Sequence, residues 1–215
     1  WVTKFDLWTL EVLAEVRAGL NTRNIAISSD AKHIAVANYL PHTLVLLSAD
    51  DLSVEKVIDV VDGKGRSSRV SAVYQAPPRQ GFIAALKDVP EIWEIATGPV
   101  GSGQQQGAVA GQPRSDGLFA LRRIEGQEPL DDFFFDPGYK HLLGSAREGG
   151  GAVVVALTAG LTLGRVPTPG LPHLGAGISW VMEDGPRKGH RVIAMPNLKE
   201  ARLSIVDMKD WSLVT

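Results

Sequence analysis

Apolar and polar residues alternate along this chain in short runs, and the runs are cut by Pro, Gly, Asp and Asn. The clearest case is 69–95. Residues 70–74 (Val-Ser-Ala-Val-Tyr) alternate, Pro77-Pro78 stops them, and 81–86 is a short apolar run. Lys87-Asp88 turns the chain, and 91–95 (Glu-Ile-Trp-Glu-Ile) alternates again. Short runs with these breaks predict a small antiparallel sheet. The same reading predicts strands at 1–7, 11–16, 24–28, 34–38, 43–47, 54–60, 131–135, 141–146, 152–157, 161–166, 178–182, 190–195 and 202–208, with 212–215 beginning another. The run at 11–16 is too short to prefer a helix. Asp136-Pro-Gly138 is a strong turn signal, and Ser29-Asp30-Ala31-Lys32 can bond its own backbone. Residues 62–68 read as a mobile polar loop. Residues 96–129 hold seven Gly, three Pro and three consecutive Gln. They read as a long irregular insertion with one strand, 118–124, inside it.

Four segments share one grammar of alternating strand, polar turn and alternating strand: 2–12, 44–54, 152–163 and 203–213. The first two begin 42 residues apart and the last two 51. Four-stranded units at about 40–50 residues are the signature of β-propeller blades. The fold class expected is therefore all-β, a propeller of four-stranded antiparallel blades, with about four blades over one domain spanning 1–215. The chain opens on Trp1 and closes on Thr215 within strand-like runs, which reads as part of a larger propeller. An open part would expose apolar sheet faces, so a homodimer or further blades are expected to cover them.

Composition narrows the partners. Apolar residues are 44% and charged residues 21% of 215, and the net charge is −2. That balance gives no polyanion-binding surface, so nucleic acid is not expected. The absence of Cys excludes disulfides, thiolate metal sites and a Cys-x-x-Cys-His haem attachment within these residues. No apolar run approaches the ~18–20 residues of a membrane helix. No Gly-x-Ser-x-Gly, His-x-x-x-His or phosphate loop is present, and Arg147-Glu-Gly-Gly-Gly151 reads as a Gly-rich hairpin.

Binding residues of a propeller collect in the loops at one mouth of its channel. On this strand map those loops carry Arg23, the stretch from Asn38 through Tyr39 to His42, Arg66, Arg69, Lys87 and His173. Arg23, Tyr39 and His42 are equally readable as plain surface or loop residues. Phe133, Phe134 and Phe135 read first as core on alternate sides of a strand. His33, His141 and His190, each beside a turn, read as solvated. His173, held between Pro and Gly residues, is the most specific candidate for a ligand or metal.

Several motifs in order resemble the d1-haem domain of cytochrome cd1 nitrite reductase. They are Asp6-Leu-Trp8, Ala14-Glu-Val16, Arg23, Arg69-Val-Ser-Ala72, the Phe82 to Lys87 stretch, and Leu-Pro-His-Leu-Gly-Ala-Gly at 171–177. Asp-Asp-Phe-Phe-Phe (131–135), Lys-Asp-Val-Pro-Glu-Ile-Trp-Glu-Ile (87–95) and Ala-Met-Pro-Asn-Leu-Lys-Glu (194–200) are similar to the family's NirN and NirF type paralogues. The likeness is weakest across 96–129. It implies an eight-bladed propeller carrying haem d1, or its dihydro precursor, over the channel. It implies that Arg23 and Arg69 pair with haem carboxylates, for which a guanidinium fork is suited, with Lys87 and His42 nearby. Tyr39 and Phe133 or Phe134 would pack on the macrocycle, and His173 would lie near it as a catalytic residue. The proximal iron ligand would be a His upstream of Trp1, so no metal ligand is expected here.

Asn197 falls where the reductase has a distal-pocket His. An amide is a poor proton donor, so Asn197 favours a maturation dehydrogenase or carrier over nitrite reduction itself. One such paralogue resembles a dehydrogenase that installs the acrylate double bond of haem d1. The resemblance further implies a periplasmic location and a c-type cytochrome or nitrite reductase as protein partner. The competing classes are nitrite reductase and a non-enzymatic interaction propeller.

Overall fold

The computed structural model describes residues 1–98, 117–148, 150–173 and 178–215. Most of the expected insertion, and the end of the Leu-Pro-His-Leu-Gly-Ala-Gly motif, lie outside the described residues. Every regular strand pairs antiparallel with its neighbour in sequence. A hairpin, β1 (Val2–Phe5) and β2 (Val12–Val16), comes first. Next is a four-stranded sheet of β3 (Asn21–Ile27), β4 (His33–Leu40), β5 (Thr43–Ser48) and β6 (Val54–Asp59). The second such sheet has β7 (Val70–Ala76), β8 (Gly81–Leu86), β9 (Glu91–Ala96) and β10 (Leu121–Glu125), with a 3-10 turn at Pro77–Arg79. The third has β11 (Leu130–Phe135), β12 (His141–Ala146), β13 (Ala152–Ala156) and β14 (Leu161–Val166). The last holds β15 (Ser179–Val181), β16 (Arg191–Pro196) and β17 (Leu203–Asp207), with Ile205 bonded to Val214 and Thr215 on its outer side. Among the described residues these are blades: three complete, one ending the chain and one hairpin opening it. β10 falls inside the expected insertion, where a strand was expected at 118–124.

The blades stack face to face, and the sequence shows why. Along β4, Ala35 and Ala37 pack towards the β7–β10 blade, while Ile34 and Val36 pack towards the hairpin. Phe82, Ala84 and Leu86 of β8 face the preceding blade, and Ile83 and Ala85 the following one. In β13, Val153 and Val155 face back while Ala152 and Val154 face forward. A middle strand covered on both faces must be apolar at every position, so it reads as a run and not as an alternation. Outer strands such as β6 and β14 are exposed along most of their length, and even their apolar Val54, Val57, Leu161 and Leu163 face water.

Inter-blade polar ties accompany this packing. Asn24 of β3 mimics a peptide: its Nδ2 donates to the Val73 carbonyl at 2.8 Å, and its Oδ1 accepts the Val73 N–H at 3.1 Å. At the opposite end of the blades, the turn before each fourth strand closes on a residue of positive φ: Leu10, Leu52, Phe119, Gly160 and Trp211. Leu52 and Phe119 are buried against the preceding blade. The Phe119 and Trp211 rings meet His33 and His141 edge-on, each at 5.1 Å.

Two expectations are corrected here. His33, His141 and His190 are not solvated; each is tied to a carboxylate. His33 Nδ1 lies 2.7 Å from Glu55, His141 Nδ1 3.2 Å from Asp136 and His190 Nδ1 2.7 Å from Asp207. The start of a blade's second strand puts His33 and His141 beneath the neighbouring blade, against Phe119 and Trp211, where an unpaired imidazole would be costly. The 62–68 loop is an ordered turn around Asp62, which accepts the Lys64 and Arg66 N–H groups and the Arg66 Nε.

Asn24→Ala strips both partners from a peptide between blades. It is expected to cost about 2 kcal/mol and lower the midpoint of guanidinium unfolding, whereas Asn24→Asp, keeping the acceptor alone, falls between. Asp207 gives a pH signature. Burial pushes its carboxyl up, but bonds from His190, the Lys209 N–H and Arg187 outweigh it and hold the carboxyl at about 2. A depressed native pKa contributes stability above the ordinary 3.8 that is lost as pH falls through about 2. Acid unfolding of Asp207→Asn, followed by tryptophan fluorescence, is expected to lack that part of the decline.

Candidate functional site

Strand polarity decides which residues can meet. In every blade the first strand starts, and the second ends, at the same mouth. Arg23 and Arg69, at or just before the start of a first strand, therefore share a mouth with Tyr39, Lys87 and Asn197, at the ends of second strands. His42 and His173 lie in connections at that mouth.

Each complete blade breaks register near the start of its innermost strand. The shift lies between Thr22 and Asn24 in β3, Val70 and Ala72 in β7, and Leu130 and Asp132 in β11. Arg23, Ser71 and Asp131 are thus bulged residues, and a bulge re-aims side chains beside a site. Arg23, expected in a loop ahead of its strand, is on such a bulge and exposed. Tyr39, also expected in a loop, belongs to β4 and is half-buried.

Two charged clusters form there. In the first, Arg69 grips Asp88 with two bonds, Nε to Oδ2 at 2.9 Å and Nη2 to Oδ1 at 2.5 Å. Arg147 reaches the same carboxylate at 2.7 Å and also donates to the Lys87 carbonyl. Lys87 pairs with Asp131. The Arg69 guanidinium and the Lys87 ammonium each lie 5.4 Å from the centre of the Tyr39 ring, within cation–π reach. The Arg69 bond, opposed by burial, holds the Asp88 carboxyl well below the ordinary carboxylate range. The same pair raises the Arg69 guanidinium further.

The second cluster lines a cleft of about 60 Å³ whose walls include Arg23, Asp131, Asp132, Ser145, Pro172 and His173. His173 Nδ1 stands 3.6 Å from Asp132 Oδ2. Asp132 Oδ1 accepts the Tyr74 hydroxyl at 3.0 Å and the Phe133 N–H at 2.8 Å. Burial, then the Asp132 charge and hydrogen bond, push the Tyr74 phenol up to about 12, against the opposing charge of Arg23. Among the described residues Arg23 makes no ion pair. The His173 loop is tied down: its N–H donates to the Pro196 carbonyl at 2.7 Å, and the Ser145 hydroxyl holds the Pro172 carbonyl.

The structure thus brings Arg23 together with His173, and Tyr39 together with Arg69 and Lys87. His42 stands apart, with Nδ1 2.6 Å from the Ser67 hydroxyl. Phe133 is fully buried between blades, edge-on to Tyr74 at 5.0 Å, and presents no surface at the mouth. Phe134 is half-buried across two inter-blade cores. Asn197 spends its whole amide on backbone. Its Nδ2 donates to the Pro169 carbonyl, and its Oδ1 accepts the N–H groups of Leu171, Lys199 and Glu200. It faces no ligand directly and orders the loop that carries His173.

Sequence reading missed Tyr74, Asp88, Asp132 and Arg147. Asp88 had been absorbed into a turn, Asp132 into a strand and Arg147 into a Gly-rich hairpin. The available signal was charge at the ends of otherwise apolar strands. Four cations (Arg23, Arg69, Lys87, Arg147) face three carboxylates (Asp88, Asp131, Asp132), with His173 beside them. That excess suits an anionic ligand, and the guanidinium forks suit carboxylate groups. Among the described residues no cluster of three or more His, Cys, Asp or Glu could hold a metal ion.

Comparison with known proteins finds relatives along nearly the whole chain. The chain is 46% identical to the dihydro-heme d1 dehydrogenase of Pseudomonas aeruginosa over 98% of its own length and 38% of that protein's. Protein NirF of the same organism is 33% identical over 43% of this chain. The solved structure of dihydro-heme d1 dehydrogenase NirN in complex with DHE superposes with a TM-score of 0.81 at 42% identity, over 99% of this chain and 41% of that one. Kuenenia stuttgartiensis hydrazine synthase superposes at 0.59 with 10% identity, a likeness of fold alone. The chain therefore spans about two-fifths of the length of the first relatives it matches. The family model described as Cytochrome D1 heme domain matches residues 1–215, and the chain belongs to that family.

Proposed function

We propose that this chain is part of a d1-type propeller of eight blades that binds dihydro-haem d1 and acts as its dehydrogenase in haem d1 maturation. The observation that carries the reading is the convergence of Arg23, without an ion pair among the described residues, with His173 and Asp132 on one cleft, beside the Arg69–Asp88–Arg147 cluster. The cleft, about 60 Å³, is far below the ~300 Å³ of a pocket that encloses a drug-sized ligand. A macrocycle therefore lies across the open mouth, over Tyr39, and only a carboxylate-bearing arm enters. Arg23 takes the arm's terminal charge. Arg69, Lys87 and Arg147 hold the remaining acidic groups at the rim.

Converting a propionate arm to an acrylate removes two protons and two electrons. The bound tetrapyrrole would supply the electron path, and the two electrons would leave one at a time to an acceptor of the c-type cytochrome class that this reading implies. His173 would accept one of the two protons at the arm, and the second would pass to solvent at the open mouth. The Asn197 amide, held by the Pro169 carbonyl and the Leu171 N–H, is a poor proton donor to bound nitrite, which favours this reading over nitrite reduction. The periplasmic location belongs to the same reading and rests on family likeness.

Titration of the intact protein with dihydro-haem d1, followed by visible absorption, is expected to saturate at one equivalent. The band of the oxidised product should grow on adding an electron acceptor. Arg23→Ala is expected to weaken binding about 10- to 100-fold, the loss of one charge-assisted hydrogen bond, with Arg23→Lys between. Absence of saturable binding would reject the cofactor reading and leave an interaction propeller.

A further inference from the structure

Asp132 lies next to a bulge, at the place in β11 that Asn24 occupies in β3. Both residues reach across to β7 of the neighbouring blade. Asn24 grips the Val73 peptide with a neutral amide. Asp132 instead brings a carboxylate, and it is buried. One oxygen, Oδ1, is occupied by the Tyr74 hydroxyl and the Phe133 N–H. The other, Oδ2, is turned to His173 Nδ1. A tie between blades would need no charge at this point, as Asn24 demonstrates. A buried carboxylate with one oxygen reserved for an imidazole needs another explanation.

We propose that Asp132, locked by Tyr74, is the positioning residue of the site. It holds His173 with the proton on Nδ1, so that the Nε2 lone pair faces the cleft and receives the proton released by the ligand's arm. This rests on the reading of His173 as the proton acceptor of a dehydrogenase. The logic is that of a base oriented by a buried carboxylate. Free imidazole side chains favour the Nε2–H tautomer, which would point a donor instead of a lone pair into the cleft, so the tautomer has to be imposed. The separation of 3.6 Å is that of an ion pair and not of a hydrogen bond. Contacts of this kind close when ligand seats and the imidazole gains its proton. The Tyr74 phenol, pushed up to about 12, remains a donor at working pH.

Two readouts separate this claim from the one beneath it. The first needs no tetrapyrrole. The protein carries five His residues, so nitrogen-15 histidine spectra of the intact protein can be assigned with His173→Gln as reference. Neutral His173 is expected as the Nδ1–H tautomer in the wild type. In Asp132→Ala it is expected to revert to mostly Nε2–H, and Tyr74→Phe should give a mixture. A wild-type His173 in the Nε2–H form overturns the proposal whatever the protein does with haem. The second readout is turnover of dihydro-haem d1. Asp132→Asn, whose amide has a precedent at Asn24, is expected to lower kcat about 10- to 100-fold with KM little changed. Unchanged kcat in a folded Asp132→Asn protein also overturns it. If the wild type shows the Nδ1–H tautomer but no turnover, the dehydrogenase reading fails while the orientation of His173 by Asp132 stands.

Discussion

Face-to-face packing of blades is the constraint that the rest of this structure obeys. A sheet covered on both sides must be apolar on both sides, so β4, β5, β8, β12 and β13 have little room for a functional side chain. At about 25 cal/mol per Å² of apolar surface removed from water, each fully buried Phe, Ile or Leu in those strands outweighs any single surface ion pair. Chemistry is pushed to the strand ends. There the polarity of the chain in every blade brings first-strand starts and second-strand ends to one mouth. Arg23, Tyr39, Arg69 and Lys87 are far apart in sequence, and three blades with the same handedness of connection are enough to bring them together.

Within that constraint, the bulges supply precision. A strand in regular register would point consecutive residues to opposite faces, both of them blade interfaces. The extra residue at Arg23 and Asp131 breaks the alternation where it would otherwise bury a charge, while the third, Ser71, is buried and donates to the Ala85 carbonyl. Asp131 and Asp132 show the outcome. Consecutive acids serve different partners, Lys87 for the first, Tyr74 and His173 for the second. The Arg69–Asp88–Arg147 arrangement has a related economy. Two guanidinium groups share one carboxylate, so each retains donors for a second anion. A preorganised pair of this kind loses little side-chain entropy when ligand arrives.

The blade rhythm was legible because turn residues punctuate it. Strands 81–86, 141–146 and 161–166 were read to the residue, each bounded by Gly, Pro or Asp signals. The start of β3 was less legible: a bulge hides from a period-two pattern, so Arg23 was read as loop, whereas β7 was read from its observed start and two residues short at its end. The candidate site was legible in part. Arginines and histidines at strand ends stood out, whereas Asp88 and Asp132 resembled the many Asp residues that close turns. Tyr74 was indistinguishable from a strand aromatic. Phe133 was nominated for a ligand although its alternation already placed it in the core. The burial of Phe133 and Phe135 about one inter-blade core, with Phe134 spanning two, follows from strand periodicity alone.

The internal repeat also separates two kinds of exposed apolar residue. Leu10 is 76% exposed, yet Leu52 and Phe119, at the same positive-φ position of later hairpins, are each 3% exposed beneath the preceding blade. Leu7 is exposed, while its counterpart Leu157 is fully buried. Ile25 and Ile27 of β3 are half-exposed on the side where the opening hairpin supplies only two strands. These positions are built for blade contact, because identical turn geometry buries them elsewhere in the chain. Trp8 differs: it is 95% exposed, and its counterparts Asp50, Thr158 and Lys209 are all polar and exposed. Blade packing accounts for Leu7, Leu10, Ile25 and Ile27. It does not account for Trp8, whose turn is fixed by Asp6 accepting the Trp8 and Thr9 N–H groups.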